Sequence, residues 1–229
     1  MVGRLLLTEL RAALRPFLVV VPAAVITVLV MGPAMGALAG EVIVPLSLAM
    51  ATWGYQMRVV FEDDRAGTWR FVRPLPIPPR SIVAVRFLSG LVAVGAYTAL
   101  LCLAAVLLPL ITARVAPPAS WGVVILRSLA LGCLLLAAFN AIYFRLGSRA
   151  MGSAMSYILV LVFLPGLVLT TPLKGSGPAT ELAQWLSQAT AWAAKERGLA
   201  LLLGASIVTG VFAGAWAYAA SAFARKEIP

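Results

Sequence analysis

The sequence predicts an all-α membrane protein with six transmembrane helices in one domain over residues 1–229. Hydrophobic residues make up 62% of the chain and charged residues only 11%, a composition typical of integral membrane proteins. A spanning helix needs about 20 apolar residues, whereas a membrane β-strand alternates apolar and polar residues. The first pattern occurs in six runs, at 17–38, 41–60, 82–111, 121–144, 152–171 and 198–222.

Residues 1–16, before the first run, have the pattern of an amphipathic helix. Arg4, Thr8, Arg11 and Arg15 recur at helical spacing and share one face, opposite a face rich in leucine. Such a helix lies along the membrane surface, and Pro16 favours a bend into the bilayer there.

The distribution of positive charge predicts the orientation. With a cytoplasmic N-terminus, thirteen of the 18 Lys and Arg residues lie on the cytoplasmic side. The other five lie outside, at Arg114, Arg127, Lys174, Lys195 and Arg197. Both termini are therefore expected in the cytoplasm, with the chain crossing the membrane an even number of times. Because the basic residues are scattered along membrane boundaries, the net charge of +10 does not indicate nucleic-acid binding.

Glycine rows occur in the first and last runs. Their four-residue spacing allows another helix backbone to approach closely. This pattern predicts either packing between helices of the same chain or contact with a second subunit, and the residues leave both open. The glycines are Gly32, Gly36, Gly40, Gly210 and Gly214.

Few polar residues interrupt the apolar runs. Arg86 is expected to reach from the inner boundary towards water, and Gln56 and Asn140 to form hydrogen bonds between helices. No acidic residue lies near the middle of a run, which argues against a proton or sodium relay. With no histidine and two distant cysteines, no Cys/His metal site is expected.

The charged segment 58–81, between the second and third runs, contains three of the 8 acidic residues, Glu62, Asp63 and Asp64. Its spacing predicts a short cytoplasmic helix over 59–72. The three acids would lie in the first turn, where the positive end of the helix favours them. The prolines that follow would end this helix.

Aromatic and basic residues follow the acids in this segment, which favours a contact with another protein. The alternative is a solvated loop that only sets the topology. The expected contact residues are Glu62, Asp63, Asp64, Trp69, Arg70 and Arg73, with Arg145 and Arg149 of a later loop as a secondary contact.

Residues 172–197 form an external segment. Trp185, Leu186 and Trp192 have helical spacing there, and tryptophan favours the membrane interface. An interfacial helix and a plain loop helix without a role remain equal alternatives.

No phosphate-binding loop of the GxxxxGK[ST] form occurs in the chain. Contiguous acids point in different directions on a helix, so the triplet is a poor metal site. We therefore expect no catalysis by this chain. The rival interpretations are a lipid-modifying membrane enzyme that uses Asp63 and Asp64, and an ion-coupled secondary transporter.

These motifs resemble ABC-transporter permeases of the type-2 exporter class, and most of all the small six-span permeases of phenol-soluble-modulin-type peptide exporters. The resemblance rests on the acidic triplet, Trp69, the turn Leu75-Pro76-Ile77, the Ile82-Val83 start of the third run and Arg145-Leu146-Gly147. Where that family has a Ser-Arg pair, this chain has Pro78-Pro79.

The resemblance implies a permease subunit that exports hydrophobic or amphipathic cargo such as peptides. Segment 58–81 would include a coupling helix that docks on a separate ABC ATPase subunit. Two ATPase copies would work with two permeases, the second being another copy or a paralogue. The permease would bind no cofactor directly, because ATP and Mg²⁺ would be held by the ATPase.

Overall fold

A computed structural model describes residues 44–67, 77–111, 121–148 and 195–225. It also describes nine isolated positions, namely Leu7, Pro22, Ile26, Met151, Ser153, Ala154, Tyr157, Gln188 and Trp192. Over these residues the regular structure is helical, with no strand. The four helices are α1 (Val44–Ala66), α2 (Pro79–Ile111), α3 (Trp121–Leu146) and α4 (Arg197–Arg225).

Three of these helices are long and apolar enough to cross a membrane. The qualifying stretches are Pro79–Ala104, Gly122–Leu146 and Gly198–Arg225, which agree with the predicted third, fourth and sixth spans. Helix α1 covers most of the second predicted run and continues into the charged segment. The predicted first and fifth spans, the interfacial helix 1–16 and most of segment 172–197 lie outside the described residues.

Helices α1, α3 and α4 run in the same direction, and α2 runs against them. Leu48 lies beside Gly132, and Asp63 beside Tyr143, so α1 and α3 are parallel. The first halves of α3 and α4 line one groove, and their ends meet where Phe144 packs on Phe223. Helix α2 is antiparallel to α1, because Ser89 contacts Tyr55 while Arg86 contacts Asp63. These directions are those that the predicted topology assigns to the second, third, fourth and sixth spans.

The core lies between α1, α2 and α3, and the C-terminal part of α4 joins it at Ala219 and Ala220. Leu48, Val83, Leu136 and Phe139 are all fully buried there. The fourth helix, α4, is attached mainly near its C-terminal half, by the edge-on contact of Phe212 with Phe87 (ring centroids 5.1 Å apart) and by Phe223. Its first half exposes large apolar side chains such as Leu202 and Ile207, which suits a helix surrounded by lipid or by another membrane protein.

Two glycines that were not singled out in the sequence allow α2 and α3 to approach closely. A Cβ at Gly90 would lie 2.3 Å from Leu136 Cδ1, and a Cβ at Gly132 would lie 2.7 Å from Val94 Cγ1. By contrast, a Cβ at Gly210 or Gly214 meets nothing within 4 Å. Those two glycines therefore hold no neighbouring helix in the described part of the chain, and their role in subunit contact stays a prediction. Gly32, Gly36 and Gly40 lie outside the described residues.

Candidate functional site

The ends of α1, α3 and α4 meet the start of α2 at one end of the bundle, which we call the basic end. Helices α1 and α3 both finish there on a glycine with a left-handed backbone, Gly67 (φ 59°) and Gly147 (φ 83°). Glycine adopts this conformation without steric cost and is common just past a helix C-terminus. The basic residues that the described helices bring to this end are Arg58, Arg65, Arg80, Arg86, Arg145 and Arg225.

The acidic triplet lies in the last turns of α1, so the prediction of a separate helix over 59–72 with the acids in its first turn is wrong. Helix α1 continues because Val59 and Val60, at the end of the apolar run, and Asp63, beyond it, are all buried. No helix-breaking residue occurs between Val60 and Gly67. Acids near a helix C-terminus are disfavoured by the helix dipole. Each acid in this position therefore benefits from a nearby cation.

Asp63 is the centre of a buried ionic contact that joins three helices. Arg86 of α2 forms a salt bridge with Asp63 Oδ2, and the Tyr143 hydroxyl of α3 donates a hydrogen bond to the same oxygen at 3.3 Å. Asp63 is 7% exposed and Arg86 is 3% exposed. The expectation that Arg86 reaches water is therefore wrong, because a carboxylate of α1 satisfies its charge inside the bundle.

A second polar contact supports this ion pair from within α2. Ser89 Oγ donates to the backbone carbonyl of Arg86 at 3.0 Å, and the Tyr55 hydroxyl of α1 donates to Ser89 Oγ at 3.5 Å. The side chains of Tyr55 and Ser89 are both buried. Helices α1 and α2 are thus joined by polar contacts at two successive levels near the basic end.

The other two acids of the triplet have different surroundings. Glu62 Oε1 pairs with Arg58 Nε at 3.0 Å one turn earlier, with both side chains about two-fifths exposed, so solvent weakens this pair. Asp64 and Arg65 are exposed. The three consecutive carboxylates therefore have three different surroundings, namely a partly exposed ion pair, a buried ion pair and solvent.

The remaining predicted contact residues divide between exposed and undescribed positions. Arg145 is exposed at the end of α3, whereas Trp69, Arg70, Arg73 and Arg149 lie outside the described residues. Among the residues that the structure describes, no three His, Cys, Asp or Glu side chains are grouped to hold a metal ion.

Among the described residues, two buried amides do not make the interhelical hydrogen bonds that we expected from the sequence. Gln56 and Asn140 are each 1% exposed. Gln56 Nε2 and both amide atoms of Asn140 have no hydrogen-bond partner within the described helices.

A family model described as "ABC-2 family transporter protein" matches residues 4–211, which is most of the chain. The chain belongs to this family. It is an ABC-2 type permease, the membrane component of a transporter, and members of this family work in general with an ABC ATPase partner. Comparison with curated proteins and with solved structures gives no significant match.

The family match includes α1 to α3, the first half of α4 and the segments that connect them. It confirms the ABC-permease class that the motifs indicated. The contact of Asp63 with Arg86 was not foreseen, although the sequence held a signal for it. A single arginine about one turn inside the third apolar run needed a carboxylate at a similar depth, and Asp63 follows the end of the second run by three residues.

Removing the Tyr143 hydroxyl in this ABC-2 permease is expected to weaken the buried contact while keeping the ring packing. Tyr143→Phe should lower the free energy of unfolding by about 1 kcal/mol or slightly more, since the lost hydrogen bond is to a charged acceptor. Equilibrium unfolding of the purified chain in mixed micelles measures this change. Tyr218→Phe, at an exposed position of α4, is the matched control, and equal effects of the two variants would contradict the prediction.

Proposed function

We propose that this permease is the membrane subunit of an ATP-driven exporter and that its ABC ATPase docks at the basic end. The observation that carries the proposal is the position of Asp63, which is buried in an ion pair while the next two residues, Asp64 and Arg65, are exposed. The exposed residues that a partner could contact, Asp64 and Arg65, thus follow directly on the residue that holds the buried ion pair.

The docking surface consists of the exposed charges at the end of α1 together with the segment that follows Gly67. Asp64 and Arg65 present opposite charges side by side, and Arg80 and Arg145 are exposed on the neighbouring helices. Mixed charges of this kind favour specific association with a complementary surface. The predicted contacts at Trp69, Arg70, Arg73 and Arg149 would extend the same surface.

Movement of the docking surface is transmitted to the bundle through Asp63. A force on the end of α1 acts on α2 through Arg86 and on α3 through Tyr143, because both side chains bind the same carboxylate oxygen. The three helices would therefore tilt together when the ATPase closes on ATP. Without this contact, the end of α1 would be free to move separately from α2.

The complete exporter contains two ATPase subunits and two permeases, the second permease being another copy or a paralogue. The apolar surface of α4, with Gly210 and Gly214 on it, is available for contact with the second permease. The basic end faces the cytoplasm of a bacterial-type cell, as the positive-inside rule requires. Hydrophobic or amphipathic molecules such as peptides are the proposed cargo.

The docking surface is tested by exchanging two adjacent charges without altering the net charge. In the variant Asp64→Arg with Arg65→Asp, we expect at least about tenfold weaker association with the ABC ATPase, a typical cost of disrupting an interface hot spot. Size-exclusion chromatography of the full-length permease with its ATPase, together with ATPase activity in proteoliposomes, measures the effect.

The matched control is Lys195→Glu with Glu196→Lys, the same kind of exchange between adjacent exposed residues at the opposite end of the bundle. It should leave both association and ATP hydrolysis unchanged. If the two double variants behave alike, the basic end is not the docking surface.

A further inference from the structure

A groove between α3 and α4 opens on the side of the bundle far from the basic end. Its volume is about 330 Å³. Small side chains line most of it, including Ala130 on α3 and Ala200 and Gly204 on α4, and Arg127 is the one charged residue among its described lining. The groove is therefore an apolar channel with a single cation at its edge.

The depth of Arg127 follows from helix geometry. Arg127 precedes Arg145 by 18 residues on α3, which corresponds to about 27 Å along the helix axis. Because the hydrocarbon core is about 30 Å thick, a helix with Arg145 at one membrane surface places Arg127 close to the other. The groove continues from Arg127 to Cys133 and Thr209, about 9 Å towards the membrane centre.

The Arg127 guanidinium is exposed and forms no ion pair with any carboxylate of the described residues. An unpaired guanidinium at headgroup depth attracts phosphate, which it can bind with two parallel hydrogen bonds. Below it, the small residues leave room for a hydrocarbon chain beside α4. The Arg127 guanidinium thus fits a phosphate group, and the groove below it fits a hydrocarbon chain of the same molecule.

We propose that this groove binds an anionic phospholipid. Arg127 pairs with the phosphate, and one acyl chain lies over Ala130, Ala200 and Gly204. The occupant is a lipid rather than a peptide because the cation lies at the membrane surface, and because Leu201, which lines the groove, is an exposed apolar side chain next to Leu202, which is also exposed. This binding does not depend on the ATPase partner, so it can hold or fail independently of the proposed export function.

The experiment is native mass spectrometry of the full-length chain released from detergent micelles, titrated with phosphatidylglycerol or with phosphatidylcholine of the same acyl chains. We expect preferential retention of phosphatidylglycerol. Arg127→Gln should weaken it about fivefold, the effect of one cation near a membrane surface. Gly204→Leu should also weaken it by filling the groove, and the helix should tolerate this change because a Cβ at Gly204 meets nothing within 4 Å.

Two controls lie on the same side of the bundle but outside the described lining of the groove. Lys195→Gln removes a neighbouring exposed cation, and Gly198→Leu introduces the same side chain at another open glycine of α4. Both should retain phosphatidylglycerol like the unchanged chain. Equal retention of the two lipids, or no difference between the groove variants and their controls, would overturn the proposal. Loss of a dimer in the same spectra on Gly204→Leu would also overturn it, by identifying the groove as an interface between copies.

Discussion

Asp63→Asn is expected to lower the free energy of unfolding by about 3–5 kcal/mol, because it leaves the Arg86 charge buried without its counter-charge. Arg86 is only 3% exposed, so water cannot readily replace the carboxylate. Asparagine keeps the volume of the side chain, and the loss therefore reports the charge rather than a cavity. Equilibrium unfolding in mixed micelles measures it, with the half-buried thiols Cys102 and Cys133 as reporters of helix separation.

The neighbouring substitution Asp64→Asn is the matched control. It makes the same chemical change on the next residue of the same helix, where the side chain is exposed, and should alter stability by less than about 0.5 kcal/mol. An equal loss in both variants would mean that Asp63 is not held inside the bundle.

A double variant separates the pair from its individual residues. Buried ion pairs can often be replaced by apolar side chains without loss of stability. Asp63→Leu combined with Arg86→Met should therefore be more stable than either single variant, which is the coupling expected of residues in direct contact. If the two single losses simply add, the side chains do not interact. Export by the double variant, measured in proteoliposomes, then also shows whether export needs the two charges or only a well-packed contact between α1 and α2.

Composition and apolar run length predicted α2, α3 and α4 well, because a helix that crosses a membrane must be both long and apolar. The distribution of basic residues predicted the directions of the described helices relative to one another, since the basic residues of α1, α3 and α4 had to reach the same membrane surface. Rotation about the helix axis was not predictable in the same way. Whether Arg86 points to water or to Asp63 depends on how α1 and α2 are rotated about their own axes relative to each other. Neither apolar run specifies this rotation alone.

The C-terminal end of α1 was not predicted correctly from the charged segment. Its charge suggested a break after residue 58, whereas α1 continues to Ala66 because Val59, Val60 and Asp63 remain buried against α2 and α3. Helix α1 ends where Gly67 adopts a left-handed backbone. Contacts with other helices, rather than local propensity, therefore decided how far this helix extends.

Gly132→Leu is expected to have the second large effect, by separating α3 from α1 and α2. A Cβ at this position would lie 2.7 Å from Val94 Cγ1 of α2 and 3.3 Å from Leu48 Cδ2 of α1. A leucine would push both helices away, and such overpacking typically costs about 1–3 kcal/mol. Equilibrium unfolding in mixed micelles should detect this loss of stability. Gly132→Ala should have a stability between that of Gly132→Leu and that of the unchanged chain.

Gly122→Leu provides the control on the same helix, because a Cβ at Gly122 meets nothing within 4 Å. It adds the same apolar side chain to α3 at an exposed position and should not destabilise the fold. A chain that tolerates leucine equally at Gly122 and Gly132 would not have α1, α2 and α3 in close contact. The buried pair of Asp63 and Arg86 requires that contact, so this comparison also tests the packing on which the proposed transmission from the basic end depends.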